Sequence, residues 1–99
     1  MARDIPMIPT NRIPTHPGVI LLEDFLRPME LTQTRFAAHL GIPIQRLNEL
    51  IRGKRGITPE TAWLLASALK TSPGFWMNLQ AFHDLAKVRH DRLIVKSLV

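Results

Sequence analysis

The sequence predicts an all-α, compact five-helix domain with an extended N-terminal arm and a short C-terminal extension. Three observations carry that reading. Apolar residues recur at three- and four-residue spacing in five separate segments. The segments are bounded by proline, glycine or a capping hydroxyl, the residues that start and stop helices. The connections are only a few residues long, so successive helices must pack on one another. A chain of 99 residues with 45% apolar content holds one such core.

Residues 1–15 carry Pro6, Pro9 and Pro14, which remove backbone donors and favour an extended arm. Pro17 suits the first turn of a helix. Ile20, Leu21, Leu22, Phe25 and Leu26 form its apolar stripe, Glu23 and Asp24 lie on the other side, and Pro28 ends it. Thr32 is an N-cap for a second helix, with Leu31 and Phe36 placed as a hydrophobic staple, and Gly41 closes it. Pro43 opens a third helix with the stripe Leu47, Leu50 and Ile51. Gly53 and Gly56 bracket a basic turn, after which Thr58-Pro59 starts a fourth helix with Ala62, Leu65, Ala66 and Leu69 as its core face. Trp63 is off that face, and reads either as a half-buried lid or as an interface contact. Ser72-Pro73 starts a fifth helix whose core row is Phe75, Trp76, Leu79 and Phe82, extended by Leu85 and Ala86. The tail RLIVKSLV reads equally as a short strand, a helical extension or a frayed end. The predicted organisation is an arm over 1–15, a helical domain over 16–89 and an extension over 90–99.

The net charge is +5 and the isoelectric point near 10.8, a balance that favours a polyanionic partner. The excess is localised. Residues 35–55 hold Arg35, Arg46, Arg52, Lys54 and Arg55 against Glu49 alone, and residues 87–99 are also net positive. There is no cysteine, which excludes a disulfide scaffold and a thiolate metal site. No apolar run approaches the 18 residues of a membrane span, and the first residues lack the apolar core of a secretory signal. A cytoplasmic protein is expected.

From Gln33 to Arg52 the spacing is that of a helix-turn-helix. The fifth position is Ala37, small enough for two helices to cross, and the ninth is Gly41 in the turn. Phe36, Leu40, Ile42, Leu47 and Leu50 occupy the inward positions. The third helix then offers its N-terminal polar end to the DNA major groove. Pro43, Ile44, Gln45, Arg46, Asn48 and Glu49 are its candidate DNA contacts. Gln and Asn match adenine, Arg matches guanine, and Ile44 can touch a thymine methyl. Gln33 and Thr34 begin the second helix, where an amide and free backbone N–H groups hold a phosphate. Arg52, Lys54 and Arg55 follow the reading helix and flank the backbone.

Three segments are more specific: HPGVILLEDFLRPMELTQ, GKRGITPETA and TSPGFWMNLQ. Together they resemble the HigA-type (VapI-like) antitoxins, a branch of the Xre-like helix-turn-helix family with a lambda-repressor-like fold. The likeness covers roughly residues 16–86. Val19 stands where the family usually has Glu, and Met77 where it usually has Leu. The resemblance implies a homodimer that binds a palindromic operator in its own promoter. It also implies a HigB-type toxin partner, an mRNA-cleaving ribonuclease neutralised by the antitoxin. The dimer surface is expected on the fifth helix and the tail, away from the reading helix. The toxin surface is expected either on the arm with the first helix or on the tail. A solitary transcriptional regulator without a toxin shares every DNA-facing residue, and a pure protein-interaction module would lack salt-dependent DNA affinity.

Catalysis is not expected. His16, His39, His83 and His90 make no i,i+4 pair, so no metal site is predicted. No nucleophile, base and orienting group stand together, and no cofactor motif is present. His16 reads as a helix cap or packing residue.

Overall fold

The computed structural model describes residues 14–88 and 90–99, with the side chain of His90 left aside. Most of the expected arm therefore lies outside the described residues. Five helical elements follow in the expected order, and no strand forms among the described residues. Helix α1 begins as an α-helical turn over Pro17–Ile20 and continues with π winding over Leu21–Leu26. Helix α2 spans Gln33–Leu40, α3 Ile44–Ile51, α4 Pro59–Leu69 and α5 Pro73–Lys87. A 3₁₀ turn over His90–Arg92 precedes a tail without regular structure, exposed at Leu93, Ile94, Val95, Leu98 and Val99.

The helix starts follow from the capping residues. The Thr32 hydroxyl oxygen accepts the Arg35 N–H at 3.1 Å, Thr58 accepts that of Thr61 at 3.3 Å, and Ser72 that of Phe75 at 3.1 Å. Each such cap is worth about 1 kcal/mol. At α1 the cap is His16, whose Nδ1 accepts the Gly18 N–H at 2.9 Å.

The π winding of α1 differs from the regular helix expected, and it has a packing reason. Leu21 and Leu26 are both fully buried although they stand five residues apart. In an α-helix of 3.6 residues per turn such a pair diverges. The wider turn swings both onto the core, and the Arg27 N–H accordingly reaches the Leu22 carbonyl at 2.9 Å.

The core joins these two leucines to Phe36, Ala37, Leu47, Leu50, Ile57, Ala62, Leu65 and Trp76. Trp76 is fully buried, and its indole N–H donates to the Thr71 hydroxyl at 2.7 Å. Helix α1 lies against α3 and α5, α2 against α3 and α4, and α4 against α5. The start of α1 meets the end of α3 at Gly18, where an added Cβ would stand 2.0 Å from the Leu50 carbonyl oxygen.

Two residues expected in the core lie outside it. Phe75 is 38% exposed, its ring edge-on to Trp76 at 4.9 Å between centroids, and Leu85 is 58% exposed. The inward face of α5 runs through Trp76 and Gln80, one residue round from the apolar row Phe75, Phe82 and Leu85. Phe82 is half-buried. Trp63 is 64% exposed on α4, too far out to serve as a lid on the core.

Candidate nucleic-acid interface

The turn between α2 and α3 is closed by hydrogen bonds that need a left-handed residue. Gly41 sits at φ 76°, its N–H reaching the Ala37 and Ala38 carbonyls, and the Ile42 N–H reaches Ala37 at 3.1 Å. This is a Schellman closure, which any side chain at Gly41 would strain. The same closure recurs after α3, where Gly53 has φ 76° and the Lys54 N–H reaches the Glu49 carbonyl at 2.8 Å. With Ala37 buried at the crossing, α3 is carried outward across α2.

The eleven expected contact residues fall into two groups. Thr34, Pro43, Ile44, Gln45 and Lys54 are exposed. Ile44 is 45% exposed at the first turn of α3, and Pro43 before it provides no side-chain cap. The first amides of α3 therefore face outward with the Ile44 and Gln45 side chains.

The second group is tied into pairs. The Gln33 amide oxygen accepts Asn48 Nδ2–H at 3.3 Å, and Asn48 Oδ1 accepts an Arg52 N–H at 3.4 Å. This chain links the start of α2, the middle of α3 and the residue that follows its C-terminus. Glu49 accepts two N–H groups of Arg55, at 2.8 and 3.1 Å. That bond, with a smaller contribution from the Gln45 amide, holds the Glu49 carboxyl below the usual carboxylate range. Glu49 thereby carries negative charge on α3 and steadies Arg55 beside it. Arg46 turns the other way. It is half-buried, and one guanidinium nitrogen donates to Glu60 at 2.9 Å and to Thr61 at 3.0 Å. These bonds tie α3 to the start of α4.

Sequence reasoning missed Gln80. It is 9% exposed, and its side-chain oxygen accepts the Ile57 N–H at 2.7 Å. Its amide N–H donates to Asp84 at 3.0 Å. Helix α5 thus fixes the end of the basic turn that flanks α3. The available signal was its position one helical turn after Trp76, a polar residue at a core register. His83 belongs to the same region. Its Nδ1–H donates to the Pro14 carbonyl at 2.7 Å, and its ring packs edge-on against His16 at 4.9 Å.

A family model described as Helix-turn-helix matches residues 22–76 of this chain. Virulence-associated protein I of Dichelobacter nodosus is 34% identical over 90 residues, which cover 90% of this chain and 83% of the relative. Antitoxin HigA-1 of Vibrio cholerae serotype O1 is 36% identical over 81 residues, covering 82% and 76%. The chain belongs to the HigA-type branch of the Xre-like helix-turn-helix family. Among solved structures, antitoxin GraA in complex with its operator superimposes on this HigA-type chain with a TM-score of 0.82 at 34% identity, covering 94% of this chain and 99% of GraA. The five-helix architecture of the HigA-type chain is that of the branch, and α2, the turn and α3 lie within the matched residues.

Proposed function

We propose that this protein is a sequence-specific DNA-binding antitoxin that represses its own operon as a homodimer and neutralises a HigB-type ribonuclease toxin. The observation that carries the DNA reading is the uncapped, exposed N-terminal end of α3. Ile44 and Gln45 are exposed there, and Thr34 of α2 and Lys54 of the following turn are exposed as well. This arrangement suits insertion into the major groove, N-terminal end first. Antitoxin GraA, similar in fold and sequence, is solved in complex with its operator, which supports the same reading.

A single reading helix contacts few base pairs. Two copies on a palindrome supply the specificity, with half-sites about 34 Å or a multiple of it apart. The exposed Phe75, Leu85 and Val88 of α5 and its end, with the apolar tail beyond, support a dimer surface away from α3. The protein would act in the cytoplasm, beside the DNA and the toxin.

A mobility-shift titration on the DNA upstream of its own gene, with scrambled DNA as control, tests the repressor reading. Selective, salt-sensitive binding is expected. Affinity equal to that for scrambled DNA would overturn it. Co-expression with the product of the adjacent gene tests the antitoxin reading. Rescue of growth and co-purification are expected, and neither occurring would leave only the regulator.

A further inference from the structure

We infer that the groove between α2 and α4 is a binding site for a small apolar monocarboxylate, with Arg35 holding the carboxylate and the groove walls the hydrocarbon body. Two clefts make up the groove. The larger measures about 250 Å³. Met29, Leu31, Phe36, Ala68 and Leu69 form its apolar walls, and Arg35 and His39 of α2 supply its polar side chains. The smaller, about 190 Å³, shares His39 and Ala68 with it and runs on to Leu40, Leu64 and Ser67. The short side chains of Ser67 and Ala68 leave the space open on the α4 side. Sites for small molecules measure about 300–1,000 Å³ and are mostly apolar with a few polar groups, and the two clefts together match that description.

Three observations point to this ligand. First, no carboxylate lines either cleft among the described residues, whereas a guanidinium and an imidazole do. The Arg35 side chain forms no ion pair and no hydrogen bond among the described residues; only its backbone N–H is engaged, by Thr32. A free guanidinium presents a planar fork that matches a carboxylate. His39 stands one helical turn further along α2, on the same face, where the two clefts meet. One permanent cation in an apolar groove suits one negative charge on an apolar body.

Second, the walls present apolar surface to water. Met29 is 54% exposed, and Leu31, Leu40, Leu64 and Leu69 are only half-buried above Phe36. A hydrocarbon chain lying on them would remove that surface from water. Third, backbone strain gathers at the larger cleft. Glu30 at φ 53° and Lys70 at φ 56° are the non-glycine residues of positive φ among the described residues. Glu30 stands between Met29 and Leu31, and Lys70 follows Leu69, so both bends shape the cleft walls. Strained backbone of this kind clusters at ligand sites. None of the groove residues is among the expected DNA contacts, so the inference does not rest on the DNA reading.

The test is a titration of the full chain with octanoate below its micellar range, at constant ionic strength, following backbone amide and methyl resonances by NMR. Acetate, with the same charge, and 1-octanol, with the same chain, serve as controls. Saturable shifts at Leu31, Arg35, Ala68 and Leu69 are expected with octanoate, with acetate and 1-octanol at least several-fold weaker. Arg35→Gln, at an exposed position without side-chain partners, should keep the wild-type melting temperature and weaken octanoate several-fold while leaving 1-octanol unchanged. No saturable shift, or shifts confined to the apolar tail over 93–99, would overturn the site. Equal affinity for octanoate and 1-octanol, indifferent to Arg35→Gln, would reduce the groove to an apolar depression and overturn the carboxylate. Perturbation of the same resonances on raising the protein concentration alone would assign the groove to a second copy of the chain, and would overturn the ligand site as well.

Discussion

The side-chain oxygen of Gln80 accepts the Ile57 N–H at 2.7 Å, so α5 anchors the basic turn that follows α3. Both partners are buried. Replacing Gln80 with Ala leaves the Ile57 amide unsatisfied, which costs about 1–3 kcal/mol. Urea unfolding should show that loss. Wild-type stability in the variant would mean that water replaces the carboxamide without penalty.

Gly18 is the second test of the frame. Its missing Cβ is what allows the Leu50 carbonyl to come close, and that neighbour is backbone. Gly18→Ala should therefore cost about 3 kcal/mol or more, at the upper end of overpacking effects. A melting temperature close to wild type would show that α1 and α3 do not meet in this way.

The pH dependence of stability follows from His16. Burial, the neighbouring His83 and Lys87, opposed by Asp84, lower its pKa below the ordinary value near 6.5. The unfolded chain then takes up the proton first as pH falls. The contribution of His16 is complete above about pH 6.5 and declines as pH drops through 6.5 toward the folded value. Below that value the slope vanishes. Urea unfolding between pH 5 and 8 should show lower stability at the acid end. His16→Asn retains a capping side chain without the titration and should flatten the profile. An unchanged profile in that variant would remove His16 as the cause.

Arg46 was expected from the sequence to read a base, but it bonds to Glu60 and Thr61. Arg46→Ala should cost up to about 1 kcal/mol in stability, since Glu60 is well exposed. It should change the ratio of operator to scrambled affinity less than Gln45→Ala does. A larger loss of that ratio at Arg46 would mean that its side chain leaves Glu60 on binding DNA.

The starts of α2, α4 and α5 were legible because Thr32, Thr58 and Ser72 cap by a local mechanism that the sequence spells out. The crossing was legible for the same kind of reason, since Ala37 and Gly41 answer steric demands at fixed spacing. The π winding of α1 was harder to read. Its trace is the pair Leu21 and Leu26, which looks like an ordinary apolar stripe until both are required to be buried. The inward face of α5 was misread because Gln80 occupies a core position through two hydrogen bonds, which hydrophobic periodicity does not register. Lys70, at φ 56°, ends α4 without the glycine that would have announced it. At the candidate site, residue types and location were legible, but the pairings that divide Arg46 from Gln45 depend on α4 and lay beyond a local reading.

The central claim is that the N-terminal end of α3 reads bases. Binding of Gln45→Ala to the upstream DNA and to scrambled DNA, measured by fluorescence anisotropy at one salt concentration, tests it most directly. A loss of about 1–3 kcal/mol on the cognate site, with scrambled DNA unaffected, is predicted. Equal losses on both sequences, or none on either, would contradict it.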